Sequence, residues 1–235
     1  MSLKDKVALV TGGGRGVGKA VALAYAHEGV KLVICARTAS EIEQSAGEIR
    51  QLGTECLGLV CDVSVEDSVA TLVKDLEDYF GRVDILVNNA GVMTRPVSLA
   101  ELEVRKWDYT LAVNLRGTFL VTRTILPLMF RQKNGSIINV SSTIGRGAYA
   151  NFAAYAVSKW GVEGLTQTLA VEVKSHNIRV NSVDPGTVAT KLTGYAGSRP
   201  ESVTGVFVFL ASDESRGITG RMLSSSGWKS QIKQS

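Results

Sequence analysis

The chain has 235 residues, of which 45% are hydrophobic and 20% charged, and a formal net charge of +4; these values fit one globular domain over residues 1–235. No apolar run reaches the ~18 residues that span a bilayer, and no Lys/Arg-rich block marks a nucleic-acid surface, so we expect neither a membrane nor a nucleic acid as a partner. Three cysteines and no secretory leader predict a cytoplasmic protein.

Short apolar runs alternate with helix-length amphipathic stretches through the first half of the chain. Three successive predicted helices end at a glycine, the residue that most easily adopts the left-handed terminating conformation. Continuous Val/Ile/Leu strands between helices are typical of a parallel sheet covered on both faces. The predicted elements are strand Lys6–Thr11, helix Gly16–Glu28, strand Lys31–Ala36, helix Ala39–Leu52, strand Glu55–Cys61, helix Val65–Phe80 and strand Asp84–Asn88.

The second half continues this alternation. Helical periodicity covers Trp107–Gln132, where we expect two helices that meet near Asn114. The sequence therefore predicts an α/β fold, a single doubly wound domain of the Rossmann type with about seven parallel strands and helices on both faces. The remaining predicted elements are strand Gly135–Ser141, helix Phe152–Ser175, strand Ile178–Val183, helix Pro200–Ala211 and strand Gly220–Leu223.

A glycine-rich loop, Thr11–Gly18, lies between the first strand and the first helix and has the sequence TGGGRGVG. Glycines at this place permit a tight turn and a close approach of the backbone to a pyrophosphate. The N-terminus of the following helix offers free N–H groups and the positive end of its dipole. The loop therefore predicts nucleotide binding.

A tyrosine and a lysine lie four residues apart in the predicted helix Phe152–Ser175. Residues at this spacing share one helix face, so Tyr155 and Lys159 are expected to be neighbours. A free phenol titrates near pH 10, and we expect the ammonium group to lower the pKa of Tyr155. Tyr155 could then exchange a proton with an alcohol or carbonyl oxygen.

Together these stretches resemble the short-chain dehydrogenase/reductase family, and in particular its 3-oxoacyl-(acyl carrier protein) reductase-like members. The glycine loop has the family's T-G-x-x-x-G-x-G spacing, and residues Asn88–Gly91 match its N-N-A-G motif. The resemblance extends from Lys6 to Gly227 and implies hydride transfer between a nicotinamide dinucleotide and a carbonyl or alcohol carbon.

The resemblance also implies roles for the matching residues. Ser142, thirteen residues before Tyr155, would hydrogen-bond the substrate oxygen, and this spacing favours it over its neighbour Ser141. Asn114 would organise a water relay to Lys159, which would also bind the nicotinamide ribose. The implied cofactor contacts are Gly12, Gly14, Arg15, Gly16, Val17, Gly18, Arg37, Asp62, Val63, Asn89, Ala90, Gly91, Tyr155, Lys159, Pro185, Gly186, Val188 and Thr190.

The end of the second predicted strand favours NADP(H) over NAD(H), although NAD(H) remains possible. An NAD site usually has an acidic residue there, which contacts the ribose 2′-hydroxyl, whereas this chain has Cys35–Thr38 with no acid. Arg37 could pair with a 2′-phosphate, and Arg15 is a second cation within the glycine loop. In the family, bases at these two places accompany NADP(H).

Other kinds of site find little support. The two histidines, His27 and His176, lie near the ends of different predicted helices, where solvated positions are expected. No cluster of histidine, cysteine and carboxylate residues has the spacing of a metal site. Ser142 has no histidine partner, which argues against a serine hydrolase. Trp160 is expected to pack within its helix.

The segment between Thr190 and Pro200 departs from the family. It contains nine residues, whereas family members usually have a longer segment with two small helices over the substrate. Either the site is open and takes a bulky or carrier-bound substrate, or it closes poorly and turns over slowly. Ser224–Trp228 also replaces the family's acidic-glycine end, which puts the subunit contact there in doubt.

The sequence favours an NADP(H)-dependent reductase of a ketone or 3-oxoacyl carbonyl on a small or carrier-bound molecule. The resemblance implies a homodimer or homotetramer paired through the helices around Thr118–Gln132 and Phe152–Ser175. The alternatives are an NAD(P)-dependent alcohol, sugar or steroid dehydrogenase, and a cofactor-binding regulatory module with little turnover. No pattern in the chain identifies the substrate.

Overall fold

The computed structural model describes residues 3–233 and contains a seven-stranded parallel sheet. Its strands are β1 Val7–Thr11, β2 Lys31–Ala36, β3 Cys56–Val60, β4 Ile85–Asn88, β5 Gly135–Val140, β6 Ile178–Asp184 and β7 Met222–Ser224. They lie in the order β3-β2-β1-β4-β5-β6-β7, and all six pairings are parallel. The predicted doubly wound fold is therefore confirmed.

Helices cover both faces of this sheet. They are α1 Gly16–His27, α2 Ala39–Gln51, α3 Glu66–Phe80, α4 Val104–Leu111, α5 Gly117–Gln132, α6 Ala153–Glu172, α7 Gly205–Ala211 and α8 Trp228–Lys233. The predicted glycine terminators are observed; Gly81, for example, ends α3 with φ +68°. Among residues 3–233, no helix is long and apolar enough to cross a membrane.

The alternation of side chains along the strands divides the core into two layers. Ala8 and Val10 of β1 face a cluster that includes buried side chains of α1, α2 and α7. Leu9 of the same strand faces the opposite cluster, built by α3, α5 and α6. Because both faces of the inner strands are covered, β1, β2 and β4 are mainly apolar and buried, as their sequences predicted.

The strand order reverses direction between β1 and β4. From β1 the chain winds outward to β2 and β3, then returns to β4 and continues to the other edge. The loops that follow β1 and β4 therefore diverge at the carboxyl edge of the sheet, which leaves a crevice where ligands bind in such folds.

Three predicted helical boundaries differ from the structure by three residues or more. The two helices expected to meet near Asn114 are observed as α4 and α5, which a wide π-helical turn, Ala112–Arg116, joins, but α4 begins at Val104 and not at Trp107. A 3-10 turn at 174–176 follows α6, and another at 200–203 precedes α7, so both helices are shorter than predicted. Helix α8 was not predicted.

Candidate active site

A cleft of about 770 Å³ opens at the carboxyl edge of the sheet, above the point where β1 and β4 diverge. It brings together residues that are far apart in the sequence, from the glycine loop to the segment after β6. The predicted site residues that line it are Gly12, Gly14, Arg15, Gly16, Val17, Arg37, Asp62, Val63, Asn89, Ala90, Gly91, Ser142, Tyr155, Lys159, Pro185, Gly186, Val188 and Thr190.

The shape of the glycine loop would allow its backbone to approach a phosphate group closely. Gly12 has φ +67°, and a Cβ atom there would lie 2.7 Å from Nδ2 of Asn89. No side chain caps the N-terminus of α1, so the N–H groups of its first turn are left for a ligand. These features suit the pyrophosphate of a dinucleotide.

Two predicted residues lie beside the cleft rather than in its lining. A Cβ atom on Gly18 would lie 2.3 Å from the carbonyl oxygen of Gly12, so Gly18 allows α1 to pack against the loop. Asn114 is 1% exposed. Its side chain accepts from the N–H of Val92 at 2.8 Å and donates to the Val92 carbonyl at 2.9 Å and to Ser158 Oγ at 3.0 Å.

Tyr155, Ser142 and Lys159 meet on one wall of the cleft. The hydroxyl of Ser142 lies close enough to that of Tyr155 to act on its pKa, and both residues line the cleft. The Nζ atom of Lys159 lies 5.6 Å from the centre of the Tyr155 ring and donates to the carbonyl of Val140 at 2.7 Å. The helical spacing of Tyr155 and Lys159, together with the end of β5, thus produces this arrangement. A phenol and an ammonium group at one wall can exchange a proton with a bound oxygen.

The expected lowering of the Tyr155 pKa is not observed. Burial raises the pKa of Tyr155 to about 12, the hydrogen bond with Ser142 acts in the opposite direction, and the charge of Asp184 raises it further. Burial lowers the pKa of Lys159 to about 8, while the charges of Glu163 and Asp184 oppose this change. Removal from water is therefore the largest influence on the pKa of the phenol, and the expected effect of Lys159 is not among its causes.

Asp184 is a residue of the cleft to which the sequence analysis gave no role. Its side chain accepts hydrogen bonds from Thr143 Oγ1 at 2.7 Å and from the N–H of Gly186 at 2.9 Å. It therefore ties the loop after Ser142 to the Pro185–Gly186 turn. An acid directly after the predicted strand Ile178–Val183 was the available signal, because buried carboxylates need specific partners.

Both arginines near the glycine loop have internal partners. Nη1 of Arg15 lies 2.5 Å from Oε1 of Glu41. Nη1 of Arg37 donates to the hydroxyl of Tyr109 at 2.6 Å, and the guanidinium carbon lies 5.7 Å from the centre of that ring. In the sequence, an acid was sought only at the end of β2, so Glu41, which lines the cleft from the first turn of α2, was missed.

The short segment after Thr190 folds back on itself at the mouth of the cleft. The N–H of Ala189 donates to the carbonyl of Ser198 at 2.8 Å, and the N–H of Ser198 donates to the carbonyl of Thr187 at 3.0 Å. A 3-10 turn at Lys191–Thr193 is the one helical element between Thr190 and Arg199. The expected scarcity of covering structure is therefore observed.

The remaining features of note lie outside the wall formed by Tyr155 and Lys159. Cys35, Cys56 and Cys61 are free thiols, and all three are buried. Within residues 3–233, no group of three or more potential ligands could hold a metal ion. The prediction for Trp160 was wrong, because its side chain is 53% exposed.

The sequence of this chain is similar to those of known proteins over nearly its whole length. A model of the family described as short chain dehydrogenase matches residues 6–201. A 3-oxoacyl-(acyl-carrier-protein) reductase of Thermotoga maritima is 37% identical over 244 aligned positions, which cover 97% of this chain and 98% of the relative. A trans-4-hydroxycyclohexanecarboxylate dehydrogenase of Sinomonas cyclohexanicum is also 37% identical, over 95% of this chain and 92% of its own length.

Solved structures show the same fold. Carveol dehydrogenase from Mycobacterium avium, crystallised in complex with NAD, is similar with a TM-score of 0.90 and 27% identity, over 94% of this chain and 96% of that one. A short-chain type dehydrogenase/reductase from Mycobacterium marinum has a TM-score of 0.91 and 32% identity, over 97% of this chain and 96% of its own.

The charge of Asp184 gives a prediction for Lys159. Because the carboxylate raises the pKa of Lys159, Asp184→Asn should lower that pKa, which lies near 8, by up to about one unit. The amide keeps an oxygen that can accept from the N–H of Gly186. NMR titration of the lysine side chains would measure the shift.

The control for this experiment is Asp67→Asn, an equal change of charge on the exposed first turn of α3, which should leave the Lys159 titration unchanged. An unaltered Lys159 pKa in Asp184→Asn would contradict the prediction.

Proposed function

The chain belongs to the short-chain dehydrogenase family, and on that premise we propose that it is an NADP(H)-dependent reductase of a ketone or 3-oxoacyl carbonyl, with Tyr155 as the proton donor. Its members are NAD(P)-dependent oxidoreductases that act on CH–OH and carbonyl groups. The observation that carries the proposal is the meeting of Tyr155, Ser142 and Lys159 on one wall of the cleft.

The dinucleotide, when bound, supplies the hydride that the carbonyl carbon receives. The chain's own residues manage the oxygen of that carbonyl. Ser142 would donate a hydrogen bond to the oxygen as negative charge develops on it. Tyr155 would then give its proton to the oxygen, so that the product is a neutral alcohol.

The protonation state of Tyr155 favours the reductive direction. With its pKa raised to about 12, the phenol carries its proton at neutral pH and is ready to donate it. Oxidation of an alcohol requires the phenolate, which the positive charge of an oxidised nicotinamide and of Lys159 would help to form. The opposite direction is thus a matter of cofactor and pH, and not of different residues.

Asn114 would act through Lys159 rather than on the substrate. Its side-chain contacts with Val92 and Ser158 fix the wide turn between α4 and α5 beside the lysine. Lys159 would hold the ribose of the cofactor and replace the proton that Tyr155 loses, with Asn114 organising the water that connects them to solvent.

Replacement of the phenol should separate catalysis from binding. Tyr155→Phe removes the hydroxyl and keeps the ring, so we expect kcat to fall by about 10²–10⁴-fold, the usual contribution of a positioned acid. The Kd for NADPH, measured from its fluorescence, should change little. Tyr79→Phe, at an exposed position on α3, is the matched control. Full activity in Tyr155→Phe would refute the assigned chemistry.

Arg37 is the main support for NADP(H) as the cofactor. Its partner Tyr109 is neutral, so the guanidinium retains its charge at the end of β2. The charge of Arg37 also acts on the nearby Asp62. Burial would raise the pKa of Asp62, but hydrogen bonds from Ser64 and the positive charge of Arg37 lower it, and the net change is a lowered pKa. Such a cation can form charge-assisted hydrogen bonds with a phosphate.

Loss of this cation should selectively weaken NADPH. We expect Arg37→Ala to reduce kcat/KM for NADPH by roughly 10–100-fold, as removal of a hydrogen bond to a charged group does, and to change the value for NADH by much less. Arg131→Ala removes an exposed arginine of α5 that pairs with Glu77 of α3, and it controls for the loss of a charge. A wild-type preference for NADH in kcat/KM would reject the NADP(H) proposal.

The short segment after Thr190 supports a bulky or carrier-bound substrate. The mouth of the cleft has one 3-10 turn over it, and a similar protein is named as a 3-oxoacyl-(acyl-carrier-protein) reductase. We therefore expect long 3-oxoacyl thioesters to be reduced with a higher kcat/KM than small ketones, in a panel tested with NADPH and NADH. Negligible turnover of every compound would instead favour a cofactor-binding regulatory module.

Exposed apolar residues on two helices support a homodimer or homotetramer. The residues exposed in a single copy of the chain include Phe119 on α5 and Val157, Trp160 and Val171 on α6. Large exposed apolar groups commonly mark interfaces between proteins. Trp160→Asp should shift the mass measured by light scattering toward the monomer. Tyr79→Asp, on α3, should not. A monomeric wild type would overturn this proposal.

The proposed location is the cytoplasm. Its support is the presence of three free thiols, which persist in a reducing compartment. Fractionation of the source cells would test it, and recovery with an extracytoplasmic fraction would reject it.

A further inference from the structure

Glu41 lies where it can influence the choice of cofactor, although it comes from a helix and not from the end of β2. It is in the first turn of α2 and lines the cleft beside Arg15 and Arg37. Two observations show how close this part of α2 lies to the glycine loop. A Cβ atom on Gly14 would lie 3.1 Å from Cβ of Glu41, and Ser45 Oγ donates to the Gly14 carbonyl at 2.9 Å. The glycine loop and the N-terminal half of α2 thus pack directly together.

The carboxylate of Glu41 already forms an ion pair with Arg15, one of the two cations near the glycine loop. The side chain of Glu41 is 33% exposed, and its Oε1 atom is 2.5 Å from Nη1 of Arg15. A 2′-phosphate that approached Arg15 would have to displace this carboxylate or accept its repulsion at short range. A ribose 2′-hydroxyl would meet no such cost, because a carboxylate is a good acceptor for it.

Arg37 differs from Arg15 in this respect. Its partner is the uncharged hydroxyl of Tyr109, which orients the guanidinium without cancelling its charge. The adenosine end of the cleft therefore combines Arg15, which forms an ion pair with Glu41, with Arg37, whose direct hydrogen-bond partner is an uncharged hydroxyl.

We propose that Glu41 is a specificity-determining residue, which supplies from α2 the acid missing at the end of β2 and thereby reduces the preference of this chain for 2′-phosphorylated dinucleotides. Arg37 favours the 2′-phosphate, and Glu41 opposes it. The balance leaves both cofactor types able to bind. This inference rests on the proposed function, since it concerns the same end of the cofactor cleft.

The test compares two adenosine fragments that differ in the 2′-phosphate. Calorimetry on the full chain would give Kd values for 2′,5′-ADP and 5′-AMP. In Glu41→Gln we expect 2′,5′-ADP to bind about two- to fivefold more tightly, the scale of an exposed ion pair. The affinity for 5′-AMP should stay the same or fall, so the ratio of the two affinities should rise.

The matched control is Glu43→Gln, two residues further along α2. Glu43 pairs with Arg50 at 2.5 Å and has a 71% exposed side chain, so the substitution makes the same change of net charge away from the cleft. Its ratio should equal that of the wild type. An equal rise in Glu43→Gln would reveal a diffuse charge effect and overturn the proposal.

A second background separates Glu41's action through Arg15 from a merely structural role. When Arg15→Gln is present, Glu41→Gln has no guanidinium to release, so its effect on 2′,5′-ADP should shrink. An unchanged ratio in the single variant, or equal changes in the affinities of both fragments, would refute the role assigned to Glu41. Thermal unfolding would check that each variant is folded.

The outcomes also distinguish this inference from the proposed function. The wild-type ratio tests NADP(H) preference, whereas the change of that ratio in Glu41→Gln tests Glu41. If wild type binds 5′-AMP more tightly and the ratio rises in the variant, the NADP(H) proposal fails and the inference stands. If wild type prefers 2′,5′-ADP and the ratio stays constant, the inference fails alone.

Discussion

The hydrogen bonds between the ends of β1 and β4 determine where the other parts of the cleft lie. Thr11 Oγ1 accepts from the N–H groups of Asn89 and Ala90 at 3.0 Å each, and Asn89 Nδ2 donates to the Thr11 carbonyl at 2.9 Å. Parallel strands that diverge at their carboxyl ends would otherwise leave these polar groups unpaired in a partly buried crevice. The two loops are thereby held together at their base and separate above it.

Several features of the cleft depend on that junction. Gly12 needs its left-handed conformation to turn past Asn89, and Gly18 lets α1 return against the loop without a side chain between them. The direction of α1 in turn aims its uncapped N-terminus at the crevice. The hydrogen bonds that the Thr11 and Asn89 side chains form with backbone groups thus support a site shaped for phosphate.

The parts of the structure with a local cause were predictable from the sequence. Continuous apolar strands, glycine terminators and the four-residue spacing of Tyr155 and Lys159 each act over a few residues, and the doubly wound parallel sheet followed from the alternation of strands with helices. The wide turn at Ala112–Arg116 was not predicted as such, because its cause is nonlocal: the Asn114 side chain bonds to Val92, 22 residues away. The role of burial at Tyr155 has the same character, since spacing reveals the ammonium neighbour but not the loss of water.

Charges brought together by the fold were also beyond the sequence patterns. Asp184 and Glu163 approach Lys159 from β6 and from the next turn of α6, and both act against the desolvation of its ammonium group. Glu163 is itself held by Arg146, with Nη2 3.2 Å from its Oε2 atom. Tyr155 and Lys159 therefore lie near two carboxylates, one of which is paired with Arg146, and tertiary packing sets this balance of charge.

A different constraint shapes the mouth of the cleft. The polar backbone groups of the short segment there must find hydrogen-bond partners within the segment. Thr193 Oγ1 donates toward the Val188 carbonyl at 2.5 Å, and a Cβ atom on Gly197 would lie 2.1 Å from the Thr187 carbonyl oxygen. The backbone groups on both sides of the turn thus find partners within the segment itself, as partly buried backbone must. The nine residues between Thr190 and Pro200 connect these positions by folding this tightly, and a connection of that kind has no spare length with which to cover a substrate.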